Sequence, residues 1–219
     1  MDGNGRWALQ RNLARSQGHT TGLKVAKRIV ACASQLGLRY LTLYVFSTEN
    51  WKRAKEEVNY LMFLIKKYLK REYDFYRQNK IRVVHSGNLE GLPLSIVRTI
   101  SEVTRATQDF TGLTVNLALN YGGRDEIIRA FKRFQNASPS HQEISEKGFK
   151  RFLDQPQLPD PDLIIRTGGE IRLSNFLLWQ SAYAELYFSP KLWPDWSETD
   201  LVLAIADFQQ RQRRFGGIK

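Results

Sequence analysis

The apolar residues of this chain switch repeatedly between two spacings, and that alternation constrains the fold more than any other feature. From Leu23 to Leu36 apolar side chains recur at 23, 25, 26, 29, 30 and 33, a helical stripe, and Gly37 stands where a helix-ending glycine is preferred. Leu38 to Phe46 is nearly continuous β-branched and aromatic sequence and reads as a buried strand. Val58, Leu61, Met62, Ile65, Tyr68, Leu69 and Tyr76 mark one face of a long helix from about Lys55 to Asn79. Strands are expected at Ile81–Val84, Leu113–Leu119 and Leu163–Ile165, with helices near Pro93, over Asp125–Phe134, and from Glu198 to Arg213 behind a Ser197 cap. Such alternation predicts an α/β fold: a single domain over residues 1–219 with a mostly parallel central sheet flanked by helices.

In parallel sheets ligands sit beyond the carboxyl ends of the strands. That rule selects Ser47–Arg53, Ser86–Asn88, Asn120–Arg124 and Arg166–Ser174, three of which join glycine or hydroxyl groups to arginine. The charge balance points the same way. The formal net charge is +11, with 20 arginines against 13 lysines, which suits an anionic partner and favours forked recognition of phosphate oxygens. An idle basic surface is the plain alternative.

Several classes fall away. No window approaches 18 uninterrupted apolar residues, so no transmembrane helix is expected. The opening residues lack the apolar run of a signal peptide, and Cys32 has no second cysteine to pair with, so a reducing cytoplasm is expected. With only His19, His85 and His141 beside that cysteine, a structural zinc cage is improbable. The G-x-x-x-x-G-K-[ST], G-x-G-x-x-G and G-x-S-x-G motifs are missing, as is an aspartate-rich DDxxD box.

Two segments have the composition of diphosphate sites. Asp2-Gly3-Asn4-Gly5-Arg6-Trp7 sets two glycines beside an acid, an amide and an arginine. Glycine lets backbone N–H groups approach an anion, and a helix from Arg6 to about Ala14 would add its N-terminal dipole. Asp2 would be a hard oxygen ligand suited to magnesium; a flexible glycine-rich stretch explains the same residues about equally well. Arg166-Thr-Gly-Gly-Glu-Ile-Arg172-Leu-Ser174 places two arginines and a serine around paired glycines at a strand end, a clamp for a diphosphate or else a solvated turn. Ser47-Thr48-Glu49-Asn50-Trp51-Lys52-Arg53 reads nearly as well as a helix cap, and Asn120-Tyr-Gly-Gly-Arg124 reads as a turn.

Taken in series, these segments resemble the cis-prenyltransferase family, and within it the bacterial undecaprenyl diphosphate synthases. The resemblance runs over nearly the whole chain: Met1-Asp-Gly-Asn-Gly-Arg-Trp-Ala8, Arg15, His19, Leu41-Thr-Leu-Tyr-Val-Phe-Ser-Thr-Glu-Asn-Trp51 with Arg53, and Asn120-Tyr-Gly-Gly-Arg-Asp-Glu-Ile127. It continues through Arg166-Thr-Gly-Gly-Glu170, Arg172-Leu-Ser-Asn-Phe-Leu-Leu-Trp-Gln180, Tyr183-Ala-Glu-Leu-Tyr-Phe188 and Arg213-Arg-Phe-Gly-Gly217. Each motif is weak by itself; the series is highly specific.

The resemblance implies condensation of isopentenyl diphosphate units onto an allylic diphosphate, farnesyl diphosphate, with each new double bond cis and undecaprenyl diphosphate as product. By the same resemblance Asp2 holds Mg2+, with Glu185 helping to position it, partly across a homodimer interface. Gly3, Asn4, Gly5, Arg6 and Trp7, with Arg15, cradle the allylic diphosphate, and His19 and Arg53 assist as pyrophosphate departs. Arg166, Arg172 and Ser174 bind the diphosphate of isopentenyl diphosphate. Ser47, Thr48, Glu49 and Trp51 line the substrates, and Ser47 and Asn50 lie near proton removal, with the identity of the base open. A growing hydrocarbon needs an apolar tunnel, for which Val45, Leu61, Ile65, Leu113, Leu117 and Leu119 are candidates, although core packing explains each equally well. The basic exterior could rest peripherally on anionic lipid at the inner face of the membrane.

Two departures stand out. In the family an apolar strand leads into Asp-Gly-Asn-Gly, whereas here Met1 abuts Asp2, so Met1 is expected to be an internal methionine of a longer chain. The residue after Glu170 is Ile171, where a histidine is common in bacterial members, which puts a histidine ligand there in doubt. Two rivals remain at this level. A non-catalytic subunit of the same fold is disfavoured by Asp2, and a nucleic-acid-binding domain is disfavoured because the arginines gather at strand ends.

Overall fold

A computed structural model describes residues 1–137 and 145–213. His141 and the 214–217 part of the last family motif lie outside the described residues. The chain divides into two compact units: Met1–Cys32 with Asp160–Leu173 and Leu178–Lys219, and Ala33–Pro159 with Ser174–Leu177.

The second unit holds a three-stranded parallel sheet of β1 (Tyr40–Ser47), β2 (Arg82–Ser86) and β3 (Thr114–Tyr121) in the order β1-β3-β2. Its helices are α3 (Lys55–Arg71), α4 (Tyr73–Gln78), α5 (Leu94–Ala106), α6 (Gly123–Ala137) and the short α7 (Glu146–Lys150). All pairings are parallel, as the helix–strand alternation predicts, because parallel strands need a crossover between them. The long helix expected over 55–79 is interrupted at Glu72. The break is one residue wide: the Glu72 N–H donates to Tyr68 O at 3.0 Å and Glu72 O accepts from the Tyr76 N–H at 3.0 Å.

The inner stripe of α3, Val58, Met62, Ile65 and Leu69, packs with Ile96 and Ile100 of α5 and with Phe46 and Leu119 of the sheet. Burying a side chain of this size stabilises by roughly 1.5–3 kcal/mol before entropy is counted. Of the residues expected around an apolar tunnel, Val45, Leu61, Ile65, Leu117 and Leu119 belong to this cluster; Leu113 is buried and is not part of it.

The β1–β3 register slips where both strands end. Tyr44 pairs with Ala118, Phe46 with Leu119 and Ser47 with Tyr121, so Val45 and Asn120 are passed over. Asn120 takes a left-handed φ of 51°, which asparagine tolerates better than most residues. Bulges re-aim the side chains beside them, and these two turn the carboxyl ends of β1 and β3 away from regular pairing.

The first unit contains α1 (Asn4–Leu9), the long α2 (Arg15–Gln35) up to Cys32, the parallel pair β4 (Leu163–Arg166) and β5 (Glu185–Phe188), and α8 (Glu198–Gln210). Helix α2 starts eight residues before the apolar stripe. Gly18 and Gly22 hide the extension in sequence, and their reason is contact: a Cβ on Gly18 would lie 2.0 Å from Asn4 O, and one on Gly22 would lie 2.0 Å from Asn4 Oδ1. The two glycines are one helical turn apart and let α1 lie against α2. The helix expected from Arg6 to Ala14 is displaced to Asn4–Leu9, with Gly3 as its N-cap. Strand β5 is not expected from sequence, since Glu-Leu-Tyr-Phe lacks the β-branched Ile-Ile run that marks β4 at the same length. Trp193 and Trp196 are buried with rings stacked at 5.9 Å, and their indole N–H groups donate to Gly22 O and Ser189 Oγ. Ser197 caps α8 in a capping box with Asp200, as its position predicts.

Candidate functional site

The residues singled out in the sequence fall into two groups, one in each unit. In the first unit the core is Asp2. Its N–H donates to Thr167 Oγ1 at 3.0 Å, and its carbonyl accepts from the same hydroxyl at 3.1 Å and from the Trp193 N–H at 2.9 Å. Thr167 is buried, so its hydroxyl fastens the Asp2 backbone to the end of β4. The carboxylate is thereby aimed: Oδ1 accepts from the Gly3 N–H at 2.6 Å and Oδ2 from Arg166 Nη2 at 2.9 Å, with Arg6 Nη2 at 3.8 Å. Partial burial works to raise the Asp2 pKa, but the Arg166 hydrogen bond, the Gly3 N–H and the charges of Arg166 and Arg6 outweigh it and hold the group below the usual carboxylate range.

Arg6 also pairs with Glu170 at 3.6 Å, and Arg172 with Glu170 at 2.5 Å, while Arg166 donates to the Arg172 carbonyl. Gly168, at φ 95°, lies where a Cβ would stand 2.8 Å from Arg6 Nη2 and 3.3 Å from Asp2. The Arg-Thr-Gly-Gly segment is therefore folded directly onto the Asp-Gly-Asn-Gly segment. Three guanidinium groups share two carboxylates here, which leaves positive charge to spare for a bound anion.

Arg15 opens α2, and a Cβ on Gly5 would lie 3.6 Å from its guanidinium carbon. His19 follows one turn later on the same side of the helix. The first-turn amides of α1, including Asn4 and Gly5, have no intrahelical acceptor. Trp7 is held to one side: its indole N–H donates to Asp195 at 2.6 Å, and Arg11 lies over its ring at 4.5 Å.

Glu185 stands apart from this cluster. It opens β5 opposite Leu163, three residues before Arg166 on β4, roughly 10 Å along the strand. Its carboxylate pairs with Arg211 at 2.9 Å, and Arg211 is shared with Asp207. Among the described residues no group of three or more His, Cys, Asp or Glu side chains is gathered to hold a metal. Ile171 is exposed.

In the second unit the turn after β1 is a 3-10 helix over Thr48–Lys52. Asn50 folds back so that its Oδ1 accepts the Ser47 N–H at 3.1 Å, while the Ser47 side chain accepts from the Asn50 backbone. Glu49 accepts from Asn175 Nδ2 at 2.7 Å. Burial works to raise its pKa, but the bond from Asn175 and those from its own N–H, Ser47 and Thr48 hold it below the usual range. Trp51 donates to Asn120 Oδ1 at 2.7 Å, and Asn120 Nδ2 reaches the carbonyls of Asn88 at 2.8 Å and Glu90 at 3.1 Å. Arg53 pairs with Glu57 at 3.0 Å. Ser174 belongs to this unit, and its carbonyl accepts from the Tyr44 hydroxyl at 3.4 Å.

The structure thus brings Asp2, Gly3, Arg6, Arg166 and Arg172 together, and separately Ser47, Thr48, Glu49, Asn50 and Trp51. Sequence reasoning gave no individual role to Thr167, Asn120 or Asn175, although each stands in a segment it singled out. The hydroxyl in Arg-Thr-Gly-Gly was a signal for the first, and asparagine at a strand or turn end a weak one for the others.

A family model described as "Putative undecaprenyl diphosphate synthase" matches residues 1–216. An isoprenyl transferase of Treponema denticola is 54% identical over 216 residues, covering 99% of this chain and 94% of that protein. The chain belongs to this prenyltransferase family. It is an enzyme of prenyl transfer, related as well to an isoprenyl transferase of Thermotoga maritima at 49% identity over 100% of this chain and 94% of that one. Among solved structures, lavandulyl diphosphate synthase from Lavandula x intermedia, in complex with dimethylallyl diphosphate, superposes with a TM-score of 0.94 at 35% identity, covering 99% of this chain and 95% of that one. A probable undecaprenyl diphosphate synthase from Campylobacter jejuni gives 0.82 at 37% identity, covering 90% and 93%. The α/β fold with parallel strands that the sequence predicts is the fold of these relatives. No helix among the described residues is long and apolar enough to cross a membrane.

Proposed function

We propose that this prenyltransferase is a Mg2+-dependent homodimer that condenses isopentenyl diphosphate onto farnesyl diphosphate, making a long cis-polyprenyl diphosphate, undecaprenyl diphosphate. The observation that carries the reading is the junction of Asp2, Arg6 and Arg166 over the Gly168 backbone, where an aimed carboxylate stands among arginines.

The donor set fits magnesium. The ion takes one or two carboxylates plus substrate phosphate oxygens and water, not a cage of protein ligands. Asp2 offers a carboxylate whose side chain is 41% exposed, and each oxygen retains a lone pair beside its present partner. Bound there, the ion would neutralise diphosphate charge; Glu185, paired to Arg211, would act from its own place on β5.

The chain's residues do the rest. Ionisation of an allylic diphosphate places negative charge on the departing group, and preset guanidinium groups stabilise charge where it forms. Arg6, Arg15 and the amides of Gly3 to Arg6 take that diphosphate, with His19 and Arg53 assisting its departure. Arg166, Arg172 and Ser174 orient isopentenyl diphosphate. Ser47 and Asn50 act near the carbon that loses a proton. A basic exterior suits peripheral contact with anionic lipid, where so apolar a product would be delivered.

The test is incorporation of labelled isopentenyl diphosphate into butanol-extractable product, with farnesyl diphosphate and magnesium supplied and Asp2→Ala alongside. Long-chain product from the wild type and none from the variant is expected. Equal turnover by the two would remove Asp2 from the reaction, and no product from the wild type would remove the proposed substrates.

A further inference from the structure

Asn175 has been given no ligand or substrate, yet it makes three long-range polar contacts within its unit. Its Nδ2 donates to Glu49 Oε1 at 2.7 Å, its Oδ1 accepts the Arg124 N–H at 2.9 Å, and its main-chain carbonyl accepts the Gly123 N–H at 2.7 Å. One residue thus joins the turn after β1 to the first turn of α6. Gly122 permits the approach, since a Cβ there would lie 2.7 Å from Asn175 Nδ2 and 2.6 Å from Thr48 Oγ1.

The segment that carries Asn175 is anchored on both sides. Tyr44 donates to Ser174 O, and its ring stacks on Phe176 at 4.6 Å; Leu177 is buried with Ala118 and Tyr121. Ser174, Asn175 and Leu177 have φ of 50°, 64° and 45°, conformations that cost energy for residues other than glycine and, to a lesser degree, asparagine and aspartate.

We propose that Asn175 is a positioning residue for prenyl transfer, whose side-chain amide fixes the Thr48–Lys52 turn, through Glu49, against the start of α6. The inference rests on the reading above that Ser47 and Asn50 serve the condensation. The chemistry demands an amide: the group must donate to a carboxylate at one end and accept a main-chain N–H at the other, and no other uncharged side chain of that length does both. Asn120 holds the same turn through Trp51, so Glu49 and Trp51 are gripped by separate asparagines, each in a left-handed conformation.

Two substitutions separate conformation from side chain. Asn175→Gly suits the left-handed backbone and removes the amide. Asn175→Asp tolerates that backbone and can still accept from Arg124, but it cannot donate to Glu49. Both variants are expected to stay folded but to melt several degrees below the wild type, Asn175→Asp the more so because it sets a carboxylate against Glu49, while kcat falls about 10- to 100-fold. KM for the allylic diphosphate should change little, because the lost interaction serves the chemical step. The full-length protein labelled with 5-fluorotryptophan supplies a readout independent of turnover, with the Trp51 signal assigned by Trp51→Phe. In both variants the Trp51 fluorine resonance should shift or broaden while those of Trp193 and Trp196 stay in place. Wild-type kcat in both variants, or lowered kcat with an unmoved Trp51 resonance, would overturn the proposal; so would loss of the folded state in both. If the wild type makes no product, the reaction reading fails, and the Trp51 resonance still decides whether Asn175 holds the turn.

Discussion

Replacing Gly18 by alanine should separate stability from activity. The new methyl carbon would stand 2.0 Å from Asn4 O, 2.9 Å from Asn4 C and 3.2 Å from Ala8 Cβ. The first two are backbone atoms, so no side-chain rotation relieves them. Reaching ordinary contact requires α1 to retreat by about 1.4 Å or more. Overpacking of this kind costs about 1–3 kcal/mol, while alanine gains about 1 kcal/mol over glycine inside a helix. The net loss is about 0–2 kcal/mol, a fall of at most about 8 °C in Tm for a chain of this size. Activity should suffer far more. Asn4 follows the Asp2-Gly3 segment directly, and a shift near 1 Å in a positioned group can cost on the order of 100-fold. Circular-dichroism melts and steady-state kinetics with each diphosphate varied in turn give both numbers. A Gly18→Ala enzyme with wild-type kcat/KM for both substrates would refute the claim that close packing of α1 on α2 sets the Asp2 site.

Three further outcomes follow from individual contacts. The Asp154 carboxylate is 5% exposed, pairs with Arg129 and Arg133 and accepts the Gly87 N–H, so Asp154→Asn should cost about 3 kcal/mol in denaturant melts. Burial works to raise the Asp154 pKa, but the two arginines hold it below the unfolded value near 3.9; its stabilisation should be complete above that pH and disappear as pH falls through the depressed folded value, a slope that acid titration should find reduced in the variant. Tyr121→Phe removes the hydroxyl that donates to the buried Glu126 at 2.5 Å and should lower stability by about 1–3 kcal/mol, measured by the same melts. Ser197→Ala deletes the α8 cap and should cost about 1 kcal/mol with kcat unchanged; a large activity loss would place that cap in the site.

How far the fold could be read from sequence depended on how much of each element's signal is local. The stripe of α3 and the apolar runs of β1 and β3 span two or more periods and were legible, as was the Ser197 cap, whose signal is local. The start of α2 was not, because Gly18 and Gly22 lower helix propensity for a reason that lies in another element, the backbone of Asn4. Strand β5 opens on Glu185 and lacks the Ile-Ile run that made β4 legible at the same length. At the site, the arginines and Asp2 announced themselves by charge and by family motif. Thr167 and Asn175 stand inside family motifs, but their roles were not legible: each matters through partners 165 and 126 residues away, and no local pattern encodes a hydrogen bond across that distance. Asn120 was read as part of a turn because its left-handed bulge is imposed by the register of β1 against β3.

The anchored stretch Ser174–Leu177 also sets an order of events during synthesis. The second unit runs continuously from Ala33 to Pro159, then lacks four residues that the ribosome adds only after a further stretch of chain. Until Leu177 has emerged, Tyr44 has no ring to stack on, Glu49 has no amide donor, and the apolar gap beside Ala118 and Tyr121 is unfilled. Met1–Cys32 waits longer still, since Thr167 and Trp193 hold Asp2 from the far end of the chain. Domains generally fold as units in the order they are made. Here the second unit cannot finish before Leu177 is made, nor the first before Trp193, so both units close late and close together.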